Sequence, residues 1–402
     1  MTLIYLIAGE ESGDVLGARL MAALKAARPG LEFAGIGGPR MMAEGLVPLF
    51  AQRDLAVMGL MEVLPRLGQL RERLRETVTD VLARRPAVLV TIDSPGFTLR
   101  VLRGVAGHGI ARAHYVAPQV WAWREGRVKH FPGLWDKLLC LLPFEPAFFA
   151  RHGLAAVVVG HSVLEAGLDR GDAARFRAAH GLSAGQRPLI VMPGSRRSEV
   201  NQLLPIFGAT LARLAARVPG LVPVVPVAHS VAEAVRAATD AWPVRPVLVT
   251  DTQDKHDAFA AAVAALVKSG TSTLELALAG VPMVVAYRMN PLTAMMARWL
   301  VKVRFASLVN LLADREVVPE LLQDRCTPPL LAAAIDRLLN VPGAAAAQRM
   351  AFRDIAAGLA PADMTPSAAA AAQVLALVDG PPRRGTGPAP AALVAHERPI
   401  VK

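Results

Sequence analysis

LIVMPGSRRSE, residues 189–199, decides the fold of this chain. Residues 189–192 read as a short buried strand, since a brief apolar run closed by Pro-Gly suits a strand covered on both faces. Gly194 permits close backbone approach, Ser195 and Ser198 are able to cap a helix start, and a helix is predicted from about 198 to 217. The same strand, loop and helix unit opens the chain. There 2–8 is apolar, AGEESGD (8–14) is the loop, and Ser12 and Asp14 begin a helix reaching about Ala27. Between these units strands are predicted at 33–36, 87–92, 111–116, 137–142 and 155–159, and beyond them at 222–227, 247–250, 264–267 and 283–286. Strands alternating with helices predict parallel sheets with helices on both faces. The pattern breaks at about 169–186 and restarts, so the fold class is α/β with two successive units.

The totals agree with that reading. At 402 residues the chain is too long for one ordinary core. A hydrophobic fraction of 53% against a charged fraction of 19% makes it globular, not disordered. The net charge of +11 implies an anionic partner: nucleic acid, a phosphorylated substrate or an acidic membrane surface. Two cysteines far apart in sequence, Cys140 and Cys326, suggest neither a disulfide frame nor a metal cluster, and fit a reducing compartment. The apolar run 2–8 is followed by Glu10 and Glu11 and reads as a first strand, not a signal peptide. No run of 18 uncharged apolar residues free of helix breakers occurs, so the chain is expected not to span a membrane, although it could lie on one. From about Pro328 it is mostly helical and Ala-rich, and 380–402 reads as a disordered tail.

Six segments carry chemistry. In PGSRRSE (193–199) a helix start, Gly194 and the planar fork of Arg196 favour a phosphate, the alternative being an ordinary capped loop. KSGTSTLE (268–275) offers a second anion cradle in Gly270, Thr271 and Ser272, with Glu275 placed for a ribose diol or else a solvated helix carboxylate. Two such loops suggest a nucleotide diphosphate. In TIDSPGF (91–97) Asp93 ends a strand, where a carboxylate acts as general base or merely caps a helix. AGEESGD lacks the Gly-x-Gly-x-x-Gly spacing and speaks against NAD; a polar sugar or a basic partner fits better. In 57–75, Met58, Leu60, Met61, Val63, Leu64 and Leu67 precede Arg66, Arg71, Arg73 and Arg75, which reads as a core helix or as an acyl-chain groove or membrane-interface segment. YVAPQVWAWREGRVKHF (115–131) sets Trp121 and Trp123 beside Arg124, Arg127 and Lys129, as core indoles or as the mouth of a binding site.

Taken together, and in this order, AGEESGD, GIGGPRMMAEG (35–45), MGLMEVL, TIDSPGF, YVAPQVWAWREGRV, LLPFEPAFF (141–149), VVGHSV, MPGSRRSEV, SGTSTLE, PMVVAYRMNPLT (282–293) and LVNLLADREVVPELLQ (308–323) resemble the lipid-A-disaccharide synthase family. The resemblance covers about 2–377. It implies a UDP-sugar glycosyltransferase of GT-B architecture, two Rossmann-like domains facing across a cleft. The implied domains are 1–168 for the acceptor, 169–345 for the UDP-sugar, and helices in 346–379 packing back on an N-terminal domain, before the tail.

The implied reaction moves the sugar of UDP-2,3-diacylglucosamine to the 6-hydroxyl of 2,3-diacylglucosamine 1-phosphate (lipid X), with inversion. The products are the β-1,6-linked lipid A disaccharide 1-phosphate and UDP. By this resemblance Asp93 is the general base, and Arg196 lies against the diphosphate with Gly194, Ser195, Gly270, Thr271, Ser272, Glu275, Tyr287, Arg288, Asn310 and Glu316 completing the donor site. Ser12, Asp14, Met58, Met61, Glu62, Trp121 and Trp123 are the implied acceptor or acyl-binding residues. No metal and no cofactor is implied, since no Asp-x-Asp motif closes a predicted strand of the donor half. The implied setting is the cytoplasm, with peripheral attachment to the inner face of the inner membrane. A homodimer by exchange of C-terminal helices is allowed. Nucleic acid is not an expected partner, because aromatics are only 5% and are not interleaved with the charges. An NAD oxidoreductase and a different UDP-sugar enzyme of the same architecture are the rivals. The second would lack the methionine-rich segment.

Overall fold

Successive residues of the first strand, Ile4 to Ala8, are all fully buried, although alternate side chains point to opposite faces of a sheet. A strand buried on both faces needs helices above and below it, and that arrangement governs the fold. The structure is a computed structural model that describes residues 2–55, 60–290, 303–359 and 363–381, with backbone alone over 60–67. Met58 therefore lies outside the described residues, as do the side chains of Met61 and Glu62 and the tail from 382 onward.

Two compact units divide the chain. One comprises Met1–Ser162 and the stretch from Ala360; the other is Val163–Leu359. The first contains β1 (Thr2–Ala8), β2 (Leu31–Ile36), β3 (Val47–Pro48), β4 (Val88–Ile92), β5 (Ala111–Tyr115), β6 (Lys137–Cys140) and β7 (Ala156–Val158). They form one sheet in the order β3-β2-β1-β4-β5-β6-β7, with every pairing parallel. Ile4, Leu6, Val88 and Val90 face a core shared with Leu20 and Leu24 of helix Glu11–Ala27 and with Val374 of helix Pro366–Val378. Tyr5, Ile7 and Leu89 face the other core, with Val81 of helix Leu60–Arg84 and Val101 of helix Pro95–Gly104. The Tyr5 hydroxyl leaves that core by donating to Asp80, 2.8 Å away.

The second unit repeats the plan. Strands β8 (Arg187–Met192), β9 (Leu221–Pro226), β10 (Val247–Val249), β11 (Ala264–Lys268), β12 (Met283–Tyr287) and β13 (Glu320–Leu322) pair in parallel in the order β10-β9-β8-β11-β12-β13. Leu189, Val191, Leu266 and Val284 meet Leu203, Phe207 and Leu211 of helix Arg197–Ala215 and Ile335 of helix Pro328–Asn340.

The division at Ser162 falls before the break expected at 168/169. The C-terminal helices also separate, where 346–379 was expected to pack back as one group. Helix Ala344–Leu359 stays with the second unit, where the Gln348 amide takes the Met283 N–H (2.7 Å) and donates to the Met283 carbonyl (3.1 Å). Only Pro366–Val378 packs on the first sheet, pinned by Lys137 to Gln373 at 2.7 Å and by the Arg28–Asp379 ion pair at 2.6 Å.

Candidate active site

In each sheet the strand order reverses between its first and fourth strands. Ligands of such sheets bind outside the carboxyl ends of the strands at that reversal. In the first unit the reversal lies between β1 and β4, so the loops there begin at Gly9 and Asp93. In the second it lies between β8 and β11, so the loops begin at Pro193 and Ser269. Four of the segments singled out by sequence are therefore these four loops.

Asp93 and Ser94 both adopt left-handed backbone, at φ 49° and 46°. Two consecutive non-glycine residues there are strained by about 1–3 kcal/mol each, and such strain concentrates at functional sites. The conformation is enforced from both ends. The Asp93 N–H donates to the Tyr115 carbonyl of the neighbouring strand (2.9 Å), while its carbonyl accepts from Thr98 Oγ1 (2.7 Å). Val116, a β-branched residue at φ 75°, sits one strand over at the same end of the sheet. Burial holds the Asp93 carboxyl above the ordinary aspartate range, opposed by the Ser94 amide. Helix Pro95–Gly104 starts at Ser94, whose buried hydroxyl has no hydrogen-bond partner among the described residues; a Cβ on Gly9 would come within 2.8 Å of it.

The other residues expected to serve the acceptor divide. Ser12 is exposed at the same end of the sheet. Asp14 is buried and committed: Oδ1 accepts from Gly38 N (2.8 Å) and Met41 N (3.0 Å), and Oδ2 from Arg40 N (3.0 Å). It caps the start of the neighbouring helix Pro39–Ala43 with both oxygens engaged. The tryptophans also part. Trp121 packs edge-on against Phe144 and donates its indole N–H to Glu145 (3.1 Å), while Trp123 is 42% exposed with Arg124 stacked 4.3 Å over its ring. Glu145, which was passed over in the sequence, is 3% exposed; it also accepts from the Leu141 and Leu142 amides, and burial pushes its carboxyl up to about 7.

In the second unit the loop after β8 turns at Gly194 (φ 114°) and delivers Arg196 to the N-cap of the 19-residue helix Arg197–Ala215. Ser195 and Arg196 are exposed, and the Ser195 carbonyl is tied by Ser230 Oγ at 3.1 Å. The loop after β11 passes through Gly270 (φ 158°) and exposed Thr271 to helix Ser272–Leu278. It is braced by Ser269 Oγ to the Ala306 carbonyl (2.6 Å) and Thr273 Oγ1 to the Gly270 carbonyl (2.8 Å). Lys268, the last residue of β11, pairs with Glu199 at 2.9 Å, and Arg196 reaches the same Oε1 at 3.4 Å. Burial and the nearby Glu199 charge hold the Tyr287 phenol above its ordinary value. Glu275 pairs with Lys255 at 3.2 Å, and Arg288 is exposed beyond β12. Among the described residues no cluster of three His, Cys, Asp or Glu side chains is placed to hold a metal ion.

A family model described as lipid-A-disaccharide synthetase matches residues 4–374. The chain belongs to the lipid-A-disaccharide synthase family. The lipid-A-disaccharide synthase of Granulibacter bethesdensis is 56% identical over 384 residues, covering 93% of this chain and 98% of that one. That of Gluconobacter oxydans is also 56% identical over 384 residues, covering 96% and 92%. Among solved structures, the UDP-GlcNAc 2-epimerase of Neisseria meningitidis, bound to UDP-GlcNAc, aligns with a TM-score of 0.59 at 12% identity, covering 89% of this chain and 99% of that one; the likeness is one of fold. The two Rossmann-like units are the GT-B architecture. Lipid-A-disaccharide synthases are glycosyltransferases of lipid A biosynthesis, with a nucleotide-sugar donor and a lipid acceptor, and this chain is an enzyme of that type.

Within this synthase family fold, two donor-side residues read from the sequence differ in kind. Glu316 is exposed. Asn310 is fully buried and its amide is used up: Nδ2 donates to the Val318 carbonyl (2.9 Å) and Glu320 Oε1 (2.8 Å), and Oδ1 accepts from Val317 N (2.7 Å) and Val318 N (3.0 Å). It positions the 314–320 turn and has no group left to offer a ligand. Glu320, missed in the sequence, completes that post by accepting from Ala306 N (2.8 Å) and Ser307 N (2.9 Å). Replacing Asn310 with alanine orphans several buried groups at about 1–3 kcal/mol each. Asn310→Ala is therefore expected to lower unfolding free energy by about 3 kcal/mol or more in urea. An unchanged urea midpoint would show that the turn holds without it.

Proposed function

We propose that this chain transfers the diacylglucosaminyl group of UDP-2,3-diacylglucosamine to the 6-hydroxyl of 2,3-diacylglucosamine 1-phosphate, inverting the donor anomeric centre. The observation that carries the reading is the division of chemistry between the two sheet reversals. One holds a strained carboxylate whose pKa is raised, and the other a glycine–arginine loop at a helix start. Asp93 takes the proton of the 6-hydroxyl as its oxygen bonds to the donor C1. The bond from C1 to the β-phosphate oxygen breaks on the opposite face, and UDP leaves with the charge. Arg196, the helix start and the exposed loop after β11 stabilise that charge as it grows. Cations already fixed in the protein meet this need without a metal. Tyr287, Arg288 and Glu316 complete the donor pocket, with Glu275 on the ribose. Trp123 and Ser12 serve the acceptor.

The net charge of +11 suits a phosphorylated acceptor held at an anionic bilayer. Among the described residues no single helix is long and apolar enough to cross a membrane. On helix Leu60–Arg84 the exposed Arg71 and Arg75 are free to meet lipid headgroups, whereas Arg73 is taken by Asp54 and Glu76, each at 2.7 Å.

The test is UDP release from UDP-2,3-diacylglucosamine with and without the monophosphate acceptor. Release is expected only with both present, unchanged by excess chelator, and accompanied by a β-1,6 disaccharide. The same protein is expected to sediment with anionic vesicles, less so at high salt. Donor turnover without acceptor, or an absolute need for added Mg²⁺, would overturn the reading.

A further inference from the structure

Beneath the loop after β8 lies a charge arrangement that no role above explains. Glu199, on the first turn of helix Arg197–Ala215, places one carboxylate oxygen 2.9 Å from the Lys268 ammonium and 3.4 Å from the Arg196 guanidinium. The side chains of Glu199 and Lys268 are 10% and 18% exposed, while Arg196 is 66% exposed. An exposed ion pair contributes little to stability, but this one is largely withdrawn from water. The glycines of both loops are shaped around it. A Cβ on Gly194 would lie 2.4 Å from Glu199 Oε2, and one on Gly270 would lie 3.5 Å from Lys268 Nζ. The ammonium also sits 5.5 Å from the centroid of the Tyr287 ring.

Two cations share one carboxylate, so the cluster carries one net positive charge at the reversal of the sheet. An ammonium has three donors, and Lys268 meets Glu199 as an ion pair at 2.9 Å.

We propose that Lys268 is a second cation for the diphosphate, and that Glu199 is a positioning residue holding Lys268 and Arg196 in place before the ligand arrives. This deepens the nucleotide-diphosphate reading of the second unit and rests on it. Phosphate oxygens accept from the remaining Lys268 donors, and no proton is transferred. When Lys268 is removed, Glu199 is left with Arg196 alone and draws it away from the ligand. The loss in Lys268→Met then exceeds the loss of one contact. Removing the carboxylate as well returns Arg196 to the diphosphate.

The experiment is calorimetric titration of UDP into the full chain, with thermal melting as a control on folding. Lys268→Met is expected to weaken UDP by about tenfold or more, the worth of a charge-assisted hydrogen bond. The paired variant Glu199→Gln/Lys268→Met is expected to recover part of that loss, and Lys268→Arg to stay within about threefold of wild type. A merely structural salt bridge would move the melting temperature and leave UDP affinity alone. Folded Lys268→Met that binds UDP as wild type does overturns the proposal. If that variant does not fold, wild-type UDP affinity in the paired variant overturns it equally. Absence of UDP binding in the wild-type chain would overturn the diphosphate reading itself, and this inference with it.

Discussion

Asp93→Asn is expected to lower turnover by about 100- to 10,000-fold, the usual cost of losing a general base, while leaving UDP affinity as it was. The substitution is clean for three reasons. Asparagine tolerates left-handed backbone, so the strained φ of 49° is kept. The backbone bonds from Asp93 to Tyr115 and Thr98 do not involve the carboxylate. Lastly, the sign of the pKa shift is favourable. A carboxyl whose folded pKa is raised costs stability above that pKa, where the folded state must hold the charge in a half-buried place. A neutral amide removes that cost, so the variant should melt no lower than wild type at neutral pH. The same shift predicts the pH profile. The base works only when ionised, so the acid limb of kcat/KM should lie above the ordinary aspartate pKa of about 3.9. Activity falls as pH drops through the raised value, and the limb should vanish in the variant's residual rate. Wild-type turnover in a folded Asp93→Asn protein would move the base elsewhere. An acid limb at the ordinary aspartate value would mean that the carboxyl is solvated in solution.

Much of the frame was legible because it follows from apolar runs. Residues 88–92 are VLVTI, a short β-branched run that reads as a strand buried on both faces, and the residue after it stands at the ligand end of the sheet. That reasoning located Asp93 without coordinates. It could not show that Asp93 and Ser94 are left-handed, since both are types that usually are not. Nor could it find β3 or β13. Val47–Pro48 is too short to show a period, and Glu320–Leu322 begins with a carboxylate whose partners, the Ala306 and Ser307 amides, lie 14 and 13 residues away. In 57–75 Pro65 and Gly68 interrupt the periodicity, so the sequence alone did not show one helix running from Leu60 to Arg84.

Polar groups were the least legible. Asp14, Asn310 and the indole N–H of Trp121 look open to a ligand in sequence, and in the fold each has hydrogen-bond partners within the protein. Whether a polar side chain is free depends on backbone amides that only the fold brings to it. The converse holds for Glu199 and Lys268. They stand 69 positions apart in sequence, and only the parallel pairing of β8 with β11 makes them neighbours.

Arg196→Ala is expected to lower kcat by about 100- to 1000-fold, in the range found when a preorganised donor to developing charge is removed. The loss of UDP affinity should be smaller, about tenfold. The split follows from where the guanidinium stands. It sits at the N-cap of helix Arg197–Ala215, two-thirds exposed, with one long contact at 3.4 Å to Glu199 and otherwise open to a ligand. The ground-state diphosphate already has the helix start and Lys268 for partners. The charge that appears as the C1–O bond breaks is new, and a fixed cation stabilises it more than it stabilises the bound donor. Arg196→Lys should restore part of the affinity and less of the rate, since a lysine keeps the charge and loses the two-pronged geometry. Stability should change little, because the side chain is mostly solvated and its pair with Glu199 is long. Single-turnover measurements at saturating donor separate the two effects. If kcat falls no more than affinity does, Arg196 binds the diphosphate uniformly, and the charge of the departing UDP must be met by other groups.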